Sequence, residues 1–97
     1  MKTLNEIKEI VRRHQPELSR RYQIRVIGVF GSYARGEQQT ESDVDLLVEV
    51  EGPISLFELA GAQVYLSEIL KLNVDLVPKE DVRPELKEHI LSEAIYL

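Results

Sequence analysis

Residues 23–50 read QIRVIGVFGSYARGEQQTESDVDLLVEV, two aliphatic runs held apart by a polar stretch that opens on Gly31-Ser32 and closes on Asp43-Val44-Asp45. The first run, Gln23 to Phe30, is rich in β-branched residues. Ile24, Val26 and Gly28 alternate along one face, while Ile27, Val29 and Phe30 fill the other toward the end, so a strand is expected that stops at Gly31. The second run, Asp43 to Val50, is a second strand whose Leu46-Leu47-Val48 centre is apolar on both faces and calls for cover on both sides. The segment from Gly31 to Ser42 is too long for a tight hairpin. It is expected to hold a helical turn after Ser32 and then a polar loop, GEQQTES.

Upstream, TLNE at Thr3 to Glu6 has the form of a capping box and starts a helix. Leu4, Ile7, Ile10 and Val11 recur at helical spacing, a stripe that runs on to His14. Pro16 is expected to end that helix or open a second short one, PELSRRY, because proline suits a first helical turn and not an interior. Downstream, Gly52-Pro53 is a turn, and Ser55 with Glu58 repeats the capping box and starts a helix through about Leu70. NVDLVP is a third strand closed by Pro78. Pro84 opens a last helix with Leu86, Ile90, Ala94 and Leu97 on one face. The order α(α)ββαβα points to a small α/β (α+β) domain, residues 1–97, with helices packed on a short mixed sheet of about three strands.

Composition narrows the class of protein. At 97 residues one core is the limit, and 43% hydrophobic with 30% charged residues is globular composition rather than disorder. A formal charge of -5 disfavours non-specific nucleic-acid binding, leaving only local basic pairs at Arg12-Arg13 and Arg20-Arg21. The absence of cysteine excludes disulfides and thiolate metal sites. No signal peptide or membrane-spanning run is legible, so a cytoplasmic protein without membrane or direct nucleic-acid contact is expected.

Side chains two apart on a strand share a face, so Asp43 and Asp45 are presented together. Two carboxylates at ~4 Å repel by ~4 kcal/mol at an effective dielectric near 20, which calls for a cation or proton between them. Asp75, between Val74 and Leu76 on the third strand, joins them if the strands are neighbours; its apolar context makes an unpaired carboxylate costly. Three carboxylates without cysteine form a hard oxygen set suited to Mg²⁺ or Mn²⁺ rather than zinc. Gly31 permits close backbone approach, and a helix starting at Ser32 aims N–H groups and a hydroxyl at an anion, read here as phosphate. His14 and His89 read as helix-face residues, since neither has a second histidine at ligand spacing. The Ser55–Leu70 helix carries an apolar arc wider than one sheet contact requires, and any exposed part of it suits a protein partner. Tyr33, Tyr65 and Tyr96 are equally suited to core, interface or modification.

Gly31-Ser32, ten intervening residues and Asp43-Val44-Asp45, with Asp75 on a later strand, resemble the signature of the DNA polymerase β-like nucleotidyltransferase superfamily. The small size, GSYARGE, SDVDLLVE and the closing EAIYL are similar to its minimal nucleotidyltransferase (MNT) branch, antitoxins paired with HEPN toxins. The resemblance implies a small nucleotidyltransferase fold and an antitoxin of a type VII-like pair that transfers AMP from ATP to a tyrosine of a cognate HEPN ribonuclease toxin. It also implies that Asp43, Asp45 and Asp75 bind one or two Mg²⁺ ions, that Gly31 and Ser32 hold the triphosphate, and that Arg35 occupies a position often basic in the family. Two alternatives stand beside it: an antitoxin acting by stable binding alone, and a transferase for a small molecule of the aminoglycoside type. The short chain leaves little material for a deep acceptor pocket, which favours a protein acceptor or a pocket shared in a homo-oligomer.

Overall fold

Thr3 opens the first helix, α1 (Leu4–Tyr22), with both halves of the expected box formed: the Thr3 N–H donates to Glu6 Oε1 at 3.0 Å, and the Glu6 N–H to Thr3 Oγ1 at 3.2 Å. The structure, a computed structural model, describes residues 2–97. After α1 come β1 (Ile24–Phe30), the single turn α2 (Ser32–Arg35), β2 (Val44–Val50), α3 (Leu56–Leu70), β3 (Val74–Pro78), a 3₁₀ turn at Lys79–Asp81, α4 (Pro84–Glu93) and β4 (Ile95–Tyr96). Ser55 caps α3 through the second box. The sheet runs β3-β2-β1-β4, with β1 antiparallel to both β2 and β4 and β2 parallel to β3.

Strand parity decides which residues reach the core. Val44, Leu46 and Val48 of β2 and Val74 and Leu76 of β3 join Ile24, Val26 and Val29 of β1 beneath Ile7, Val11 and Leu18 of α1 and Ala62, Leu66 and Leu70 of α3. Asp43, Asp45 and Asp75, at the alternate positions, project from the opposite face. Leu47, which shares their face, is also fully buried, so the centre of β2 is covered on both sides as its composition requires.

Three expectations need correction. Pro16 neither ends nor restarts a helix: it lies inside one continuous α1. Leu18 and the partly buried Tyr22 continue the stripe set by Ile7 and Val11, and burying such side chains is worth about 1.5–3 kcal/mol each against the ~3 kcal/mol cost of an interior proline. The sheet also has four strands rather than about three. α4 stops at Glu93, and the chain turns to lay Ile95 opposite Val29 and Tyr96 opposite Gly28. A Cβ at Gly28 would meet the Ile95 carbonyl oxygen at 3.1 Å, so glycine is what admits β4 so closely. Leu97, expected on the α4 face, instead donates its N–H to the Ile27 carbonyl.

Candidate nucleotide and metal site

β1 ends at Phe30, and Gly31 turns the chain into α2 with φ 74° and ψ −151°, a conformation open to glycine alone. A second constraint acts on the same atom. A Cβ at Gly31 would collide with the carboxylate of Asp45, standing 3.1 Å from its Cγ. The missing side chain therefore lets the Asp45 carboxylate rest against the Gly31 backbone, so the two halves of the sequence signature meet directly. Asp45 pairs with Phe30 across the antiparallel ladder and with Asp75 across the parallel one.

That placement leaves its mark on Asp45. Its carboxyl is pushed up from 3.8 to about 6, first by burial, then by the charges of Asp75 and Asp43, with Arg35 pulling the other way. Asp43 and Asp75 are exposed, so the apolar flanks of Asp75 bury its neighbours and leave its own side chain in solvent. Among the described residues no three His, Cys, Asp or Glu side chains converge closely enough to hold a metal ion by themselves. The donor set nonetheless fits a hard divalent cation bound together with a nucleotide, since Mg²⁺ is commonly held by one or two carboxylates and completed by phosphate oxygens and water. A half-buried carboxylate that resists ionisation beside two others is what such a cation relieves.

Around Asp43 and Asp45 lies a cleft of ≈ 460 Å³, bordered by Gly31, Ser32 and Arg35 on one side, by Ser42 beside the two acids on another, and by His89, Ile90 and Glu93 of α4, with Asp75 outside its lining. Arg35 is held between two carboxylates. Its Nε donates to both oxygens of Glu37 at 3.3 Å and its Nη1 to Glu93 Oε1 at 3.0 Å, contacts that raise its pKa above the usual value, Glu37 contributing most. Glu93 Oε1 also accepts the Gly31 N–H at 3.2 Å, and Glu93 Oε2 lies 3.3 Å from His89 Nε2. The structure thus brings Gly31, Ser32, Arg35, Asp43 and Asp45 to one cleft and sets Asp75 beside Asp45. Sequence reasoning missed Glu93. Its one local signal was its place in the closing EAIYL segment. His89 is a helix-face residue as expected, though on the face turned to the cleft, whereas His14 lies elsewhere, its Nδ1 2.6 Å from the Tyr65 hydroxyl.

A glycine corner backed by a strand acid, with a second acid in register on the neighbouring strand, fits the class of enzymes that move a nucleotidyl group. The nucleotidyltransferase domain family matches residues 4–97, and the chain belongs to that family. It is 46% identical over 98 residues to a candidate protein adenylyltransferase of Methanocaldococcus jannaschii, with all of both chains covered. It is 43% identical over 97 residues to the protein adenylyltransferase MntA of Thermococcus cleftensis, covering 100% of this chain and 98% of that one. A solved structure described as a minimal nucleotidyltransferase superposes with TM-score 0.82 at 34% identity, covering 99% and 97% of the two chains. A chain of a toxin-antitoxin crystal structure with AMP-PNP shares the fold at TM-score 0.69 and 24% identity, over 95% of this chain and 69% of that one.

Proposed function

We propose that this single domain, residues 1–97, is the antitoxin of a toxin-antitoxin pair, a protein adenylyltransferase that acts in the cytoplasm on a HEPN toxin. The observation that carries the catalytic part is the contact between Asp45 and Gly31, which sets a charge-strained carboxylate against the corner suited to a triphosphate. The kinship with protein adenylyltransferases over the full chain supports a protein acceptor. A tyrosine oxygen attacks the α-phosphorus of ATP, the bond from that phosphorus to the β-bridging oxygen breaks, pyrophosphate leaves, and the phenolic proton passes to a carboxylate or to water. Asp43, Asp45 and Asp75 would hold Mg²⁺, or Mn²⁺ in its place, which supplies charge neutralisation to the phosphates and to the attacking oxygen. Ser32 and Arg35 face the phosphates, and Gly31 shapes the corner.

Incubating the protein with a cognate HEPN toxin, ATP and Mg²⁺ should add AMP mass to that partner, read by intact-protein mass spectrometry. The Asp43→Ala/Asp45→Ala double variant should abolish the shift. A partner of unchanged mass would sink the enzymatic reading. The exposed Leu56 and Phe57 favour a second reading, neutralisation by stable binding, under which the double variant still protects cells from the toxin.

A further inference from the structure

We propose that Glu93 is a positioning residue for nucleotide binding: its carboxylate sets the Gly31 peptide and the Arg35 guanidinium in the geometry that receives the triphosphate. The inference rests on the reading of Ser32 and Arg35 as phosphate donors.

One oxygen, Glu93 Oε1, accepts two donors at once, the N–H of Gly31 at the start of α2, at 3.2 Å, and Nη1 of Arg35 at its end, at 3.0 Å. At 18% exposure the Glu93 side chain is better shielded than Arg35 at 44%, so these charge-assisted bonds are screened less than the Arg35–Glu37 contact on the outer side. Its place is fixed by the fold. Glu93 is the last residue of α4, and two positions later the chain is pinned to β1 through Ile95 and Val29, immediately before the Phe30-Gly31 corner.

The hydrogen-bond inventory shows what this arrangement leaves free. Arg35 has five N–H donors; Glu37 takes the one on Nε and Glu93 one on Nη1, leaving three for a ligand. The Gly31 N–H is already taken, so Gly31 serves by shape while donors come from Ser32 and Arg35. A further carboxylate in a cleft that already holds Asp43 and Asp45 works against an anionic ligand by charge alone. It serves binding only by holding the arginine in place, since a loose guanidinium loses side-chain entropy when a ligand orders it.

Glu93→Gln keeps an oxygen able to accept from Gly31 and Arg35 but removes the charge that anchors the guanidinium; Glu93→Ala removes oxygen and charge together. Binding of Mg²⁺ with a non-hydrolysable ATP analogue by calorimetry, together with steady-state AMP transfer, reads the effect. Glu93→Gln should weaken nucleotide binding about tenfold and raise the KM for ATP similarly, with kcat changed less, and Glu93→Ala should weaken it more. In an Arg35→Ala background the Glu93→Gln effect should largely disappear. Glu85→Gln, at the exposed start of α4, is the control and should match wild type. Unchanged binding in Glu93→Gln, tighter binding in Glu93→Gln, or full additivity with Arg35→Ala would each overturn the proposal. If Glu93→Ala does not fold, the near-isosteric Glu93→Gln carries the test alone. Wild-type protein that binds no nucleotide overturns the nucleotide-site reading and this proposal with it, whereas a binding wild type with an indifferent Glu93→Gln overturns only this proposal.

Discussion

Asp45 carries a charge the fold disfavours. In the unfolded chain its carboxyl has the ordinary value of 3.8, and in the fold it is raised to about 6, so between these values the folded state binds more protons. Stability from this group is therefore fully present below about pH 4 and is lost as pH rises through about 6. Asp45→Asn removes the ionisation. Without divalent cations its Tm at pH 7 should exceed that of wild type, and the gap should close by pH 4, as thermal melts in chelator across that range would record. With Mg²⁺ and ATP the order should reverse, because only wild type gains the bound ion. Gly31→Ala combines a positive φ with a collision against Asp45, so a loss of about 1–3 kcal/mol in chemical denaturation is expected, with AMP transfer reduced at least tenfold. The pairing of Asp43 with Asp45 was legible, because strand parity follows from spacing alone. The register of Asp45 with Asp75 was not, since it depends on which strands become neighbours. Glu93 lies 62 positions from Gly31, and no local pattern links the two.

Elements read well from the sequence where a pattern is long and capped. The two boxes at Thr3 and Ser55 and the aliphatic run of β2 all appear where expected. β4 escaped because two paired residues show no alternation, and their partner surface exists only once Gly28 is placed beside them. Pro16 misled because its local preference is outweighed by packing seven residues along from Val11, at Leu18. Restoring the missing donor with Pro16→Ala should raise stability by up to ~3 kcal/mol, less the entropy the unfolded chain regains, measurable in urea melts. One residue earlier, Gln15 takes the part of a missing strand: its Nε2 donates to the Val26 carbonyl at 2.6 Å, and its Oε1 accepts the Val26 N–H at 3.1 Å. β4 is too short to reach Val26. Gln15→Ala should therefore cost about 1–3 kcal/mol by leaving both backbone groups without protein partners, again read from denaturation.

Across the whole molecule, the acids and the two most exposed apolar residues stand at opposite ends of the sheet. Leu56 and Phe57, 82% and 88% exposed, open α3 near Val50 and Pro78, where β2 and β3 finish, while Asp43 precedes the start of β2. Five strand residues, Leu46 to Val50, separate Asp45 from the end of β2, roughly 17 Å. A partner that uses both must be large enough to span that length, which a small acceptor is not. Leu56→Ser/Phe57→Ser should leave stability within about 0.5 kcal/mol, because neither side chain is in the core, and should weaken partner association in a pull-down titration if that end is gripped.

The short β4 and the Gln15 clamp have a further consequence at the margins of the sheet. β4 presents two residues and β3 five, the latter closing on a proline, so neither border offers a long ladder of free peptide groups to another chain. Val26, the stretch of β1 that β4 leaves uncovered, has its amide and carbonyl already engaged. Both borders are thus poor templates for ribbon-like self-assembly, and the protein is expected to resist edge-to-edge association at high concentration.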